Sequence, residues 1–159
     1  PQAEAMYYGC HLWAEKAAVI KSIGNNYPDK KSTLWHTDNH FESITKIMIY
    51  LNDIGPDDAP FEYLRHIETH ETVRIKAHMP QHYPGGRVPL EVIDEYLANG
   101  YERHQVLGPK GSVIFFDDKV IHKGNEPAIG YHRDAVILQL RPTSEKADHY
   151  LISGKTQAM

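Results

Sequence analysis

The segment Leu34-Trp35-His36-Thr37-Asp38-Asn39-His40 holds the residues best placed to do chemistry. In an extended strand successive side chains alternate faces, so His36 and Asp38, two apart, point the same way. An imidazole and a carboxylate side by side can share one cation. With one more histidine from elsewhere they make the two-His-one-carboxylate set of non-haem Fe(II) oxygenases, which leaves coordination positions open. Coincidence is the competing reading, because eleven histidines among 159 residues make a His-x-Asp triplet common.

The elements that must position such a pair read mostly as short strands. Ser32 to Asp38 is expected to be the strand carrying the first two ligands. Ile44 to Leu51 is the clearest strand, rich in β-branched and aromatic residues. Its face Thr45, Ile47, Ile49, Leu51 reads as plain core. The opposite face, Ile44, Lys46, Met48, Tyr50, reads as the wall of a polar-bottomed pocket, with a solvated edge charge as the alternative for Lys46.

Residues 2 to 16 are ambiguous, because alanine and glutamate favour helix and the Tyr7-Tyr8-Gly9 cluster does not, and Ala17 to Asn26 is weakly strand-like with helix open up to Ile23. Asn52 to Pro60 is a turn, Phe61 to Arg65 a short strand, and residues 66 to 88 a polar loop ending in Pro84-Gly85-Gly86. Leu90 to Ala98 has helical spacing of Leu90, Val92, Ile93, Tyr96 and Leu97, and Asn99-Gly100 stops it. Strands then follow at Arg103 to Leu107, Ser112 to Asp117, Lys119 to His122 and His132 to Arg141, with turn residues between them. Many short strands and one sure helix predict a mainly β sandwich or jelly roll.

Composition narrows the partners. The chain is long enough for one domain with a sizeable core, taken as residues 1 to 159. A net charge of −4 gives no basic patch, which argues against nucleic acid. No apolar run approaches the ~20 residues needed to span a bilayer, and no signal peptide is visible. Cys10 is the only cysteine, which fits a reducing, cytoplasmic compartment. The chain opens at Pro1, so a processed or excised piece of something longer is expected.

Four motifs in order carry a resemblance. They are Trp35-His36-Thr37-Asp38; Lys46-Ile47-Met48-Ile49-Tyr50-Leu51-Asn52-Asp53; Ala59-Pro60-Phe61-Glu62-Tyr63; and Gly108 to Asp117 followed by Ile121-His122-Lys123-Gly124-Asn125. Together they resemble the phytanoyl-CoA dioxygenase family over roughly residues 17 to 142. The resemblance implies a double-stranded β-helix, a cupin-like jelly roll with few helices. It also implies iron held by His36, Asp38 and His122, with 2-oxoglutarate and O2 as cosubstrates. The product would be a hydroxylated small organic molecule, released with succinate and CO2.

Arg133 stands where that family carries its cosubstrate arginine, and a guanidinium fork matches a carboxylate bidentately. Arg141 is the runner-up anchor. Lys46 and Met48 fall where relatives line the cosubstrate pocket. Ile67-Glu68-Thr69-His70 stands in place of the family's Pro-Gly-Ser-His-like turn, and the N-terminal part is short. His40 is a further candidate ligand or substrate contact, whereas His66, His70, His78, His82 and His104 read as solvated loop residues. His132 should face away from Arg133. Two other readings stay open: a non-catalytic jelly-roll module that binds a ligand, and a cupin-type metalloenzyme that uses no oxo-acid.

Overall fold

The computed structural model describes residues 11–24, 31–38, 44–74 and 86–143. Its longest pairing joins β1 (His11–Ile23) to β7 (His132–Thr143), antiparallel, with a register shift between Ala14 and Lys16. On its other edge β7 pairs with β2 (Thr45–Tyr50), which pairs in turn with β5 (Val113–Asp117). The large sheet therefore runs β1-β7-β2-β5. A smaller sheet has the order β4-β3-β6, from Phe61–His66 (β3), Tyr101–Val106 (β4) and His122–Gly124 (β6). Single bridges widen it, because His36 lies between His122 on one side and Arg87 on the other.

The sheets close on each other through Met48, Tyr50, Ile54, Phe61 and Ala135, all buried. The Phe61 ring from the small sheet lies 4.6 Å from Phe116 of the large one. This is the predicted jelly roll. Alternation sends Leu64 to the opposite side of β3, where it packs with Trp35, Val73, Val88, Ile93 and Ile121. Ile93 belongs to α1 (Leu90–Ala98), which thus covers the outer face of the small sheet. The helix ends as expected: Asn99 donates from its backbone and side chain to Glu95, and Gly100 takes φ +84°. None of the helices described is long and apolar enough to cross a membrane.

Several expectations need correction. Ser32 to Asp38 is not a regular strand. Lys31–Thr33 is a 3-10 turn that breaks the extended run, and after it only His36 forms bridges, to Arg87 and His122. The strand expected over Lys119 to His122 starts only at His122, since Asp117 Oδ1 accepts the Lys119 N–H and its carbonyl accepts the Val120 N–H, closing a turn. On β2 the face that enters the core between the sheets is Met48 and Tyr50; on the face read as core Thr45 and Ile47 are buried, but Ile49 is only half-buried and Leu51 is exposed. Residues 11–16 join β1, settling the ambiguity there as strand.

Two histidines assigned to loops sit in strands, His66 in β3 and His104 in β4. His66 also shapes the turn after β3, where its Nδ1 accepts the N–H groups of Glu68 and Thr69 and its carbonyl accepts that of His70. The Ile67 to His70 loop is thereby closed without the glycine of the family's usual turn, with His70 itself at φ +60°.

Candidate functional site

His36 and His122 are joined by their backbones before their side chains meet. Each donates its N–H to the other's carbonyl at 2.9 Å. This reciprocal pair puts both imidazoles on one face, with ring centroids 4.3 Å apart. The Asp38 N–H donates to the Asp118 carbonyl at 2.9 Å, which brings the carboxylate to the same place. His122 Nε2 lies 3.6 Å from Asp38 Oδ2, and one ligand atom from each of the three residues lies within 4.8 Å of the others.

Tautomers follow from the partners. His36 Nδ1 lies 2.7 Å from the Leu34 carbonyl, and His122 Nδ1 lies 2.8 Å from the Val120 carbonyl. A carbonyl only accepts, so each Nδ1 carries its hydrogen and each Nε2 keeps a lone pair for a metal. Burial, helped by His36 nearby, pushes the His122 pKa down to about 4, with Asp38 opposing. Burial also lowers that of His36, against the pull of the Leu34 carbonyl. For Asp38 burial alone would raise the pKa, but the Lys46 ammonium and then His122 outweigh it and leave it below the usual range. At neutral pH the cluster is two neutral imidazoles and one carboxylate. That donor set fits a divalent iron ion.

Lys46 is not a solvated edge charge. Its Nζ donates to Asp38 Oδ2 at 2.6 Å, and both side chains are largely buried. Met48 sits in the core between the sheets beside Ala135 and Ile137. Arg133 shares the inner face of β7 with Ala135 and Ile137, as strand parity predicts, and is 5% exposed. Its Nη1 donates to the Ala59 carbonyl at 2.6 Å, while its Nε, also buried, has no hydrogen-bond partner among the described residues. Among the described residues no carboxylate pairs with it. Burial lowers its pKa, with Tyr50 opposing.

Arg141 is already matched, donating from Nε to Glu15 Oε2 at 2.6 Å, which removes it as the anchor. His132 is on the opposite face from Arg133, with Nε2 3.7 Å from Asp134 Oδ2. His40, His78 and His82 lie outside the described residues.

Sequence reasoning missed Asp118 and Lys119. Asp118 is fully buried; its Oδ1 accepts the Ile44 N–H at 3.0 Å, and its own N–H donates to the Ile44 carbonyl. Lys119 Nζ donates to the Asp38 carbonyl at 3.5 Å. The pair thus fastens both ends of the segment linking Asp38 to β2. A charged Asp117-Asp118-Lys119 triplet ending an apolar strand was the available signal.

Likenesses to known proteins fit this architecture. EctD from S. alaskensis with 2-oxoglutarate and 5-hydroxyectoine is 16% identical, covering 88% of this chain and 48% of that one, with a TM-score of 0.61. AviO1 from Streptomyces viridochromogenes Tue57 is 17% identical, covering 92% of this chain and 58% of that one, at 0.56. EvdMO1 is 17% identical, covering 87% and 29%, at 0.55. This chain therefore spans about a third to three-fifths of those proteins, and the likeness is one of fold. Among curated proteins no sequence matches. The family description "Phytanoyl-CoA dioxygenase (PhyH)" matches residues 9–127, most of the chain, and the chain belongs to that family.

Proposed function

We propose that this chain is the catalytic jelly roll of an Fe(II)- and 2-oxoglutarate-dependent dioxygenase that hydroxylates a small organic molecule. One observation carries the reading: two imidazoles with Nδ1 engaged and Nε2 available converge with Asp38, on the same side of the sheets as a buried arginine that has no carboxylate partner among the described residues. His36, Asp38 and His122 would hold the iron, and Arg133 would take the far carboxylate of 2-oxoglutarate, with Lys46 and Met48 lining that pocket. Support also comes from the family and from EctD, whose structures include one with bound Fe and one with 2-oxoglutarate and 5-hydroxyectoine.

Iron held by His36, Asp38 and His122, with its oxo-acid, would supply the oxidising chemistry: one oxygen atom of O2 would go to a substrate C–H bond and the other to succinate, with loss of CO2. The chain's own work is to bind and orient. Backbone carbonyls of Leu34 and Val120 hold the two imidazoles in one tautomer. Lys46 keeps Asp38 ionised. Phe61 and Phe116, both against the His122 ring, keep water from one side of the site. Tyr63 lies opposite His122 in register, and His104 and the Arg65–Glu102 ion pair continue that face. This half-buried polar wall suits a small polar substrate more than a long aliphatic chain.

The deciding experiment is an anaerobic titration of Fe(II) and 2-oxoglutarate, watching for the weak visible charge-transfer band of the chelate. Wild type should develop the band, and Asp38→Ala and His122→Ala should not, because each loses a metal ligand. Iron binding without a band would turn the reading to a cupin-type metalloenzyme. No iron binding at all would leave a ligand-binding jelly roll.

A further inference from the structure

Arg133 rests in a seat made by two backbone features that its own strand does not supply. The first is Ala59, held at φ +60°, a left-handed conformation uncommon for a residue with a Cβ. Buried there, it presents its carbonyl to Arg133 Nη1 at 2.6 Å. The second is Gly124, the last residue of β6. A Cβ at Gly124 would lie 2.9 Å from Arg133 Nη2 and 3.5 Å from Nη1. Gly124 is not among the glycines with positive φ, so its backbone would suit any residue. The constraint at Gly124 is space: the nearest atom is the far end of the Arg133 side chain, which would have to shift to admit a Cβ.

The geometry points to a division of labour on the guanidinium. With Nη1 taken by Ala59, the edge left to grip a carboxylate side-on is Nε with Nη2, and Nε has no hydrogen-bond partner among the described residues. Nη2 is the atom that a Cβ on Gly124 would strike. Gly124 and Ala59 are therefore positioning residues for the anion fork: Ala59 fixes the guanidinium's rotation, and Gly124 keeps the gripping edge clear. Gly124 is also two residues from His122 and opposite Phe61, whose ring stacks on His122. One short strand thus carries a candidate metal ligand and sets the anchor for the oxo-acid.

This inference rests on the proposed function, and the test keeps the two apart. Iron affinity and 2-oxoglutarate affinity would be measured separately, under anaerobic conditions, for wild type, Gly124→Ala, Arg133→Lys and the double variant. Gly124→Ala should weaken 2-oxoglutarate about tenfold, the scale of one charge-assisted hydrogen bond, with iron affinity nearly unchanged. In the Arg133→Lys background, where no Nη2 remains to be struck, the same change should add nothing, a non-additivity expected of residues in contact. Should Gly124→Ala itself fail to hold iron, recovery of iron binding in the double variant would support the collision, and no recovery would overturn it. Equal 2-oxoglutarate affinity in wild type and Gly124→Ala, or an additive loss in the double variant, would also overturn the seat while leaving the proposed function intact. A wild type that binds iron but no 2-oxoglutarate would remove both.

Discussion

Arg133 is the residue whose chemistry separates an oxo-acid enzyme from other metal cupins. Held at 5% exposure, with Nε lacking a partner and no carboxylate beside it among the described residues, it is a buried charge short of an anion. Such a charge is costly to leave uncompensated. A dicarboxylate would supply the missing partner. Lysine offers a point charge and not a fork, so Arg133→Lys should weaken 2-oxoglutarate roughly ten- to a hundredfold while iron affinity stays nearly unchanged. The anaerobic titration that gives the wild-type affinity measures it directly, and equal affinities would discard the cosubstrate role.

Among the elements, the turn between β5 and β6 holds the site together. Asp118 accepts the Ile44 N–H through Oδ1, gives its carbonyl to the Asp38 N–H, and sits 3.5 Å from Lys119 Nζ. Asp118→Ala would leave the Ile44 N–H without that acceptor and remove a buried carboxylate beside a buried ammonium. We expect a loss of about 3 kcal/mol in urea unfolding, together with weaker metal binding. Asp118→Asn keeps the Oδ1 acceptor and should lose clearly less. Equal stabilities for the two variants would show that the acceptor does not matter.

For the whole molecule, the buried imidazoles make stability depend on pH. The His122 pKa is about 4 in the folded protein against 6.5 for a free histidine, because burial disfavours its charged form. The unfolded chain binds the proton first as pH falls. The stability linked to His122 is therefore complete above pH 6.5 and is lost progressively as pH drops towards 4, by about 3 kcal/mol in total. His36, also lowered by burial, adds to the same limb. Asp38, held below its ordinary pKa, keeps its contribution through this window and loses it only at more acid pH. Urea midpoints of metal-free protein between pH 7 and 4 should fall accordingly, and His122→Ala should flatten the slope.

Much of this protein was legible in local sequence. Alternation put Arg133 on one face with Ala135 and Ile137; propensity marked β2; helical spacing with Asn99-Gly100 bounded α1. These features depend on residues a few positions apart, and the chain's local geometry imposes them wherever it folds. Other features needed partners distant in the chain. Parity divided β2 into two faces, but only the small sheet decided that Met48 and Tyr50 enter the core. Nothing local brought Lys46 onto Asp38, buried Asp118 behind it, or set Ala59 and Gly124 around Arg133. Register between strands is chosen by packing of the assembled sheets, because that alone fixes which side chains lose their water. The candidate ligand types were written in the sequence, and their convergence was decided by the hydrogen-bonded pairing of His36 with His122.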